Sequence, residues 1–458
     1  MTMDLRDLKN IFFIGVAGSG MSAIAQYLAG TGREVSGSDR YFITGRVDDN
    51  RNKLEAAGVK CFAQNGKGIS SETQLVVIST AVEESVEELI KARKLGIPVI
   101  RRSELLALIA KSKMTIAIGG TSGKSTTSAM LFCIMEHAGY QPSIISGAGL
   151  ISIIRENKIG NTKVGAGEWL VIEADESDGS ITQYEPEIGV LLNIDKDHQE
   201  IDELILLFRA FRDHSNYFVV NRGNALSAQL ADRTGRDFSA EEGVDAYYTG
   251  RDFSQKGLST RFTVNGTPFS LNAPGKHNME NALAAIAVAD MIGIGPETSA
   301  RALVNYEGIY RRHQVLGEKN GVWVIDDYAH NPVKCAASIA ACQPLAKKVV
   351  AWFQPHGYGP TKFLRQDFVR EIGEVLRPSD EIWMSEIFYA GGTAVRDISA
   401  NDLVNDIRGM GKLAFFVENR ADLLNALRAH LSEGTVLLLM GARDPSLEQF
   451  GRDVWDNL

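Results

Sequence analysis

A chain of 458 residues exceeds what one hydrophobic core organises, so two or three domains are expected. Its 44% hydrophobic and 23% charged content is that of an ordinary globular protein, and a net charge of −9 without any Lys/Arg-rich run excludes a nucleic-acid binder that needs a concentrated basic face. Four cysteines, Cys61, Cys133, Cys335 and Cys342, match neither a zinc spacing nor a disulfide framework, which points to buried thiols in a reducing compartment.

The first apolar run, residues 11–14, reads as a strand that passes through Gly15-Val16-Ala17-Gly18-Ser19-Gly20 into a helix ending at Gly30. The uncharged stretch 11–30 is broken by glycines and Gln26 and follows Asp4 and Asp7 rather than a basic cluster. It is therefore neither a membrane span nor a signal peptide, and a cytoplasmic protein without a membrane partner is expected. The loop spells G-x-x-G-x-G where a dinucleotide fingerprint spells G-x-G-x-x-G, and Asp39 ends the next strand. It reads either as a pyrophosphate cradle or as a packing turn. Strands over 34–36, 75–79 and 98–100 alternate with helices that stop near Gly58 and Gly96, a rhythm that predicts a parallel, doubly wound sheet. A helix over 101–113 leads into a second domain.

That domain opens with a strand over 114–118 and the run Gly119-Gly120-Thr121-Ser122-Gly123-Lys124-Ser125-Thr126-Thr127. Glycines let consecutive N–H groups converge on phosphate oxygens, Lys124 offsets the β/γ charge, and the Ser125 hydroxyl stands where Mg²⁺ is held at a helix start. The strict phosphate-loop pattern has glycine where this chain has Ile118. A strand over 169–173 runs into Glu173-Ala174-Asp175-Glu176-Ser177-Asp178, which sets carboxylates beside the phosphate loop; hard oxygen donors suit Mg²⁺, and Glu173 is the best placed. His198 follows a strand over 188–193 that ends on the same face. An antiparallel insertion is expected around 247–271. His277, Asn278 and Asn281 then open a helix over 278–291, for which Asn278 also reads as an N-cap. Near Tyr310 a third α/β domain begins, with Arg311 and Arg312 suited to clamp a γ-phosphate and strands over 323–325, 349–353, 381–384, 414–417 and 435–440. Asp326 to Pro332 ends the first of these strands, as a ligand contact or a turn.

Taken together, the ordered motifs GVAGSGMSAIA, SGSD, GTSGKSTT, EADESD, NIDKDH, PGKHNMENALAAIAVA, RRHQ, DDYAHNP and FQPH resemble those of the Mur ligases, ATP-dependent enzymes that build the peptide of bacterial cell-wall precursors. The resemblance covers essentially the whole chain. It implies an α/β fold of three domains: a Rossmann-like UDP-sugar domain with a parallel sheet (1–111), a central P-loop ATPase domain (112–309) and a Rossmann-like C-terminal domain that brings the amino acid (310–458). It implies a monomer or homodimer that uses ATP and Mg²⁺ to turn the carboxylate of UDP-N-acetylmuramate into an acyl phosphate and pass it to an amino acid, L-alanine, or to a peptide. By the same resemblance, Gly120, Thr121, Ser122, Gly123, Lys124, Ser125 and Thr126 hold phosphates, while Ser125, Glu173 and His198 hold Mg²⁺. His277, Asn278 and Asn281 lie near adenine, and Arg312, Asp327, His330 and Asn331 reach the nucleotide after domain closure. Gly18, Ser19, Gly20, Met21, Asp39 and Ser79 face the UDP moiety, and His356 and Tyr358 meet substrate. Lys124, Glu173, His198 and Arg312 form the implied catalytic set.

The departures from the alanine-adding pattern are specific. Ala17 and Ser122 stand for a glycine and a histidine, Asn331 for the second histidine of HHP, Gly357 and Pro360 for both arginines of FQPHRYTRT, and Thr393 for the glutamate of YAAGE. An arginine grips a carboxylate bidentately and these residues do not. They leave open a ligase for another amine or a recycled peptide, and a nucleotide-binding paralogue without turnover. A nicotinamide-dependent oxidoreductase, drawn from the first glycine loop alone, leaves Lys124, Glu173 and His198 without a purpose.

Overall fold

The computed structural model describes residues 4–42, 49–80, 82–195, 200–231, 235–389, 395–444 and 446–458. Two compact units divide the chain: residues 1–253, 262–270 and 277–308 in one, residues 254–261, 271–276 and 309–458 in the other.

The first unit starts with β1 (Asn10–Ile14), β2 (Glu34–Asp39), β3 (Val59–Ala63), β4 (Leu75–Ile78) and β5 (Val99–Arg101), ordered β3-β2-β1-β4-β5 with every pairing parallel. Helices α1 (Ser19–Gly30), α2 (Asp49–Ala56), α3 (Glu87–Lys94) and α4 (Arg102–Lys111) connect them. Side chains of a strand alternate between faces, so Ile11 and Phe13 enter one core while Phe12 and Ile14 enter another with Leu89. Both faces are covered, as a parallel sheet requires. The strand order reverses between β1 and β4, which leaves a crevice at their carboxyl ends. Gly15 and Ser79 follow directly on those ends. β3 was not among the predicted strands; Lys60 interrupts its apolar run, and only pairing with β2 completes it.

A second sheet is built from β6 (Met114–Gly119), β7 (Ser143–Ile145), β8 (Thr162–Lys163), β9 (Trp169–Glu173), β10 (Ile188–Leu191) and β11 (Tyr217–Val220), ordered β11-β10-β6-β9-β7-β8. All its pairings are parallel except β7 with β8. Helices α5 (Lys124–His137), α6 (Ile151–Ile154) and α7 (Ile201–Asp213) accompany it. One continuous core joins Phe13, Leu28 and Leu105 of the first layer to Ala117, Ile172 and Phe211 of this one. The insertion expected around 247–271 falls on β13 (Tyr248–Lys256), β14 (Ser259–Val264) and β15 (Thr267–Leu271), preceded by β12 (Phe238–Ser239), which pairs parallel with β13. Then come α8 (Lys276–Met291) and α9 (Pro296–Leu303). Asn278 lies inside α8, so it is not that helix's N-cap.

The second unit carries β16 (Gln314–Lys319), β17 (Val322–Asp327), β18 (Lys348–Gln354), β19 (Glu381–Met384), β20 (Leu413–Phe416) and β21 (Thr435–Gly441), ordered β16-β17-β21-β18-β19-β20. Its helices are α10 (Pro332–Cys342), α11 (Tyr358–Phe363), α12 (Arg365–Val375), α13 (Ala400–Gly409), α14 (Leu423–Leu427) and α15 (Leu447–Asn457). Val349, Ala351 and Phe353 pack on one face, Val350 and Trp352 on the other. Only β16 is antiparallel; its sequence QVLGEK, broken by Gly317, carries no strand periodicity, and its pairing with β17 decides the conformation. No disulfide joins the four cysteines, and among the described residues no helix is long and apolar enough to cross a membrane.

Candidate active site

The phosphate-loop run connects β6 to α5. Gly123 precedes the helix at φ 86°, in the left-handed region, and a Cβ there would lie 2.3 Å from Asn281 Oδ1 of α8. Backbone conformation and space both demand glycine. Lys124 folds back over the loop, its Nζ 2.6 Å from the Gly120 carbonyl and 2.6 Å from Glu176 Oε2. Burial alone would depress Lys124, but the carboxylates of Glu176, Asp175 and Glu173 outweigh it and hold the ammonium charged. Burial pushes the Glu176 carboxyl up against the opposing pull of Lys124. The sequence motif contained Glu176 without indicating this pairing.

Parallel pairing of β6 with β9 sets Ile118 level with Glu173, so the loop and the acidic run leave the sheet side by side. The Ser125 hydroxyl donates to Glu173 Oε2 at 2.9 Å, while Glu173 Oε1 accepts from Ser146 Oγ at 2.7 Å and Gly147 N at 2.6 Å. Asn193, two residues past the end of β10, fixes the other flank: its Oδ1 accepts from Thr121 Oγ1 and Ser122 N, both at 2.9 Å, and its Nδ2 donates to the Ser122 carbonyl at 3.1 Å. Thr126 sits half-buried in the first turn of α5. On α8, Asn278 and Asn281 are buried, and Asn281 accepts from Thr127 Oγ1 at 3.3 Å; His277 is half-buried beside them. His198 lies outside the described residues. Among those described, no three His, Cys, Asp or Glu side chains cluster as metal ligands. The Ser125–Glu173 oxygen pair nevertheless fits Mg²⁺, which takes one or two protein oxygens and leaves its remaining positions to phosphate and water.

The first glycine loop is occupied differently. Gly15 N and Val16 N donate to the Ser38 carbonyl at 2.8 and 3.0 Å, and Ala17 N donates to Asp39 Oδ2 at 2.9 Å. Asp39 is buried, and its other oxygen accepts from Tyr41 N at 3.1 Å. It braces the loop. The remaining anion donors are the first-turn N–H groups of Ser19, Gly20 and Met21, which a helix start leaves without partners in their own helix. Arg102, unnoticed in the sequence, reaches this corner: a Cβ on Gly20 would lie 2.9 Å from its Nη1, and its Nη2 is 3.8 Å from Asp178 Oδ2.

In the second unit, Arg311 and Asp326 form a buried bidentate pair at 2.9 and 3.1 Å, and Arg311 also donates to the Gly441 carbonyl at 3.1 Å. Arg311 and His313 both take left-handed backbone conformations, φ 52° and 50°, on either side of Arg312. Such positions cost about 1–3 kcal/mol each and persist where surrounding contacts enforce them. Here the enforcing contacts are the Arg311–Asp326 pair and the His313 N–H, which donates to Asp327 at 3.0 Å. The Arg312 guanidinium lies 4.9 Å over the Tyr328 ring. Asp327 accepts from Ala329 N and Ser338 Oγ as well, and His313 and Arg312 hold its carboxyl below the usual range despite burial. Asn331 caps α10 by accepting from Lys334 N at 2.9 Å. His330 and His356 bring their ring centres to 5.7 Å, Tyr358 stands 6.0 Å from Tyr389, and the Arg396 guanidinium lies 3.9 Å over Tyr389 and 5.8 Å over Tyr358. Arg396 lies outside every motif read from the sequence.

Comparison with known proteins matches three family models in series: "Mur ligase family, catalytic domain" over residues 10–114, "Mur ligase middle domain" over 118–289 and "Mur ligase, glutamate ligase domain" over 311–443. The UDP-N-acetylmuramate–L-alanine ligase of Pelotomaculum thermopropionicum is 34% identical over 95% of either chain, and that of Agrobacterium fabrum 33% identical over 94% of this chain and 93% of its own. Among solved structures, UDP-N-acetylmuramate-alanine ligase MurC from Thermotoga maritima superposes with a TM-score of 0.80 at 25% identity over 98% of both chains. A murein peptide ligase from Psychrobacter arcticus, 19% identical, shares the fold with a TM-score of 0.67 over 98% of both chains.

Proposed function

The chain belongs to the Mur ligase family, and from that premise we propose how this site performs ATP-dependent amide-bond formation, joining L-alanine to the carboxylate of UDP-N-acetylmuramate in peptidoglycan precursor synthesis. A carboxylate is a poor electrophile. Its oxygen attacks the γ-phosphorus of ATP, ADP departs, and the acyl phosphate formed has a leaving group. The amine nitrogen then adds to the carbonyl carbon, loses a proton, and phosphate leaves with the original carboxylate oxygen.

The convergence of Lys124, Ser125 and Glu173 at the phosphate loop carries this reading. Lys124, held charged by carboxylates, exchanges Glu176 for phosphate oxygens of the same charge type. Ser125 and Glu173, with His198 as the further ligand, would hold Mg²⁺, whose charge eases the approach of two anions. Gly120 to Thr126 cradle phosphates, and His277, Asn278 and Asn281 serve the adenine. Arg312, Asp327, His330 and Asn331 are assigned as nucleotide contacts. The N–H groups of Ser19, Gly20 and Met21, with Gly18, Ser79 and Arg102, take the UDP moiety, while Asp39 positions that loop. His356 and Tyr358 meet the incoming amino acid. Arg396, over the Tyr358 and Tyr389 rings, offers the guanidinium that Gly357 and Pro360 lack.

That displaced guanidinium supports a second reading, a ligase of the same family for a different amine or a recycled peptide. ADP release with UDP-N-acetylmuramate and a panel of L-alanine, glycine, L-serine and a muramyl-type tripeptide separates them. Turnover with L-alanine exceeding the rest is expected; preference for the peptide overturns the alanine assignment, and no turnover with any amine overturns the ligase mechanism of this site.

A further inference from the structure

Helix α5 carries the phosphate loop at its start and a second concavity further along. A cavity of about 340 Å³ is lined by Ala129, Phe132, Cys133 and Glu136 of α5, Ala302 of α9, and Tyr306. The α5 residues follow i, i+3, i+4, i+7 spacing, so one helix face supplies a whole wall. Cys133 lies nine residues beyond Lys124, about 14 Å along the helix axis, and none of the residues assigned above lines this space.

The lining is mainly apolar, with Ala129, Phe132 and Ala302 buried. The cysteine adds no reactive anion: its thiol donates to the Ala302 carbonyl, and burial, with Glu136 and Glu307 nearby, pushes it up to about 11. Tyr306 is different. It is 6% exposed, it lines the cavity, and among the described residues its hydroxyl has no hydrogen-bond partner. A hydroxyl that opens on a cavity and bonds to no protein group there is a donor available to whatever fills the space. Glu136 and Glu307 stand at the rim, each paired with a single cation, Lys163 and Arg155. Their carboxylates disfavour an anionic guest.

We propose that this cavity is a binding site for a small neutral molecule with an apolar body and one hydrogen-bond-accepting group, anchored by the Tyr306 hydroxyl. Its volume lies at the small end of the range of ligand sites, roughly 300–1,000 Å³, which suits a guest the size of one substituted ring.

Saturation-transfer NMR on the full chain, with acetophenone as the probe, tests this. One-site binding is expected, weakened about three- to tenfold by Tyr306→Phe, the worth of one hydrogen bond. Ethylbenzene, alike in shape but without the acceptor, should bind more weakly and be insensitive to that change, and benzoate should not compete. Ser152→Trp, which places a ring at the exposed rim, should abolish binding even if Tyr306→Phe fails to fold. Absence of saturable binding up to about 10 mM, the weak end of fragment affinity, means that the cavity holds water only and overturns the proposal. Equal affinity in wild type and Ser152→Trp overturns it too, since the probe then sits elsewhere.

Discussion

The two glycine loops of the first unit, between β1 and α1 and between β6 and α5, share one backbone plan and differ in what surrounds it. Both leave a parallel strand, turn on glycine and present the open N–H groups of a helix start. In the first, Ser38 and Asp39 take the N–H groups of Gly15, Val16 and Ala17, and Arg102 is the cation at its corner. In the second, Lys124, Ser125, Glu173, Glu176 and Asn193 converge within hydrogen-bond distance of the loop or of one another. A helix start alone attracts a phosphate, whereas moving one requires charges placed where charge develops. These surroundings support the proposed division of roles, binding at the first loop and phosphoryl transfer at the second.

Lys124→Ala strikes the comparison hardest. Turnover should fall by about a thousandfold or more, and the buried Glu176 left without its cation should lower stability by about 3 kcal/mol. Adding Glu176→Gln restores the melting temperature without restoring turnover; recovery of both would reduce Lys124 to a structural partner. Arg102→Ala should raise KM for the UDP-linked substrate about tenfold with kcat nearly unchanged. A matching loss in kcat would erase the distinction between the loops.

A gentler change is Asp39→Asn, which turns one acceptor oxygen into an N–H facing the backbone donors of Ala17 or Tyr41. It should raise the same KM about threefold, the cost of one weakened bond, and leave KM for ATP alone. The smallest effect on catalysis belongs to Asp380, far from either loop in sequence. Its oxygens accept from Val349 N at 2.8 Å, Arg377 Nε at 2.9 Å and Gln343 Nε2 at 3.0 Å. Although burial opposes it, these bonds hold its carboxyl below the usual range. A folded-state pKa below the unfolded value means stability that is complete above the ordinary carboxylate range and lost as pH falls through the folded value. Asp380→Asn should thus lower the melting temperature at neutral pH and flatten its acid dependence, with both KM values unchanged in steady-state assays.

Much of this was readable from the chain. β9 and β19 begin and end at the residues the sequence predicts, because a buried parallel strand shows as a short hydrophobic segment with polar residues at its ends. Strands such as β3 and β16, with Lys60 and Gly317 in their runs, take their conformation from a neighbour's unpaired N–H and C=O groups. At the sites, the strand-glycine-helix grammar located both loops, since it depends only on residues adjacent in sequence.

Local order along the chain thus determined the α/β class, the phosphate loop and its family, because periodicity and glycine placement act over a few residues. Tertiary structure alone decided that Asp39 braces a backbone, that Glu176 pairs with Lys124, that Arg102 and Asn193 stand beside glycine loops from which they are remote in sequence, and that Arg396 reaches Tyr358. Hydrogen bonds and ion pairs depend on distance in space, and strand order, not sequence order, sets which side chains come within it.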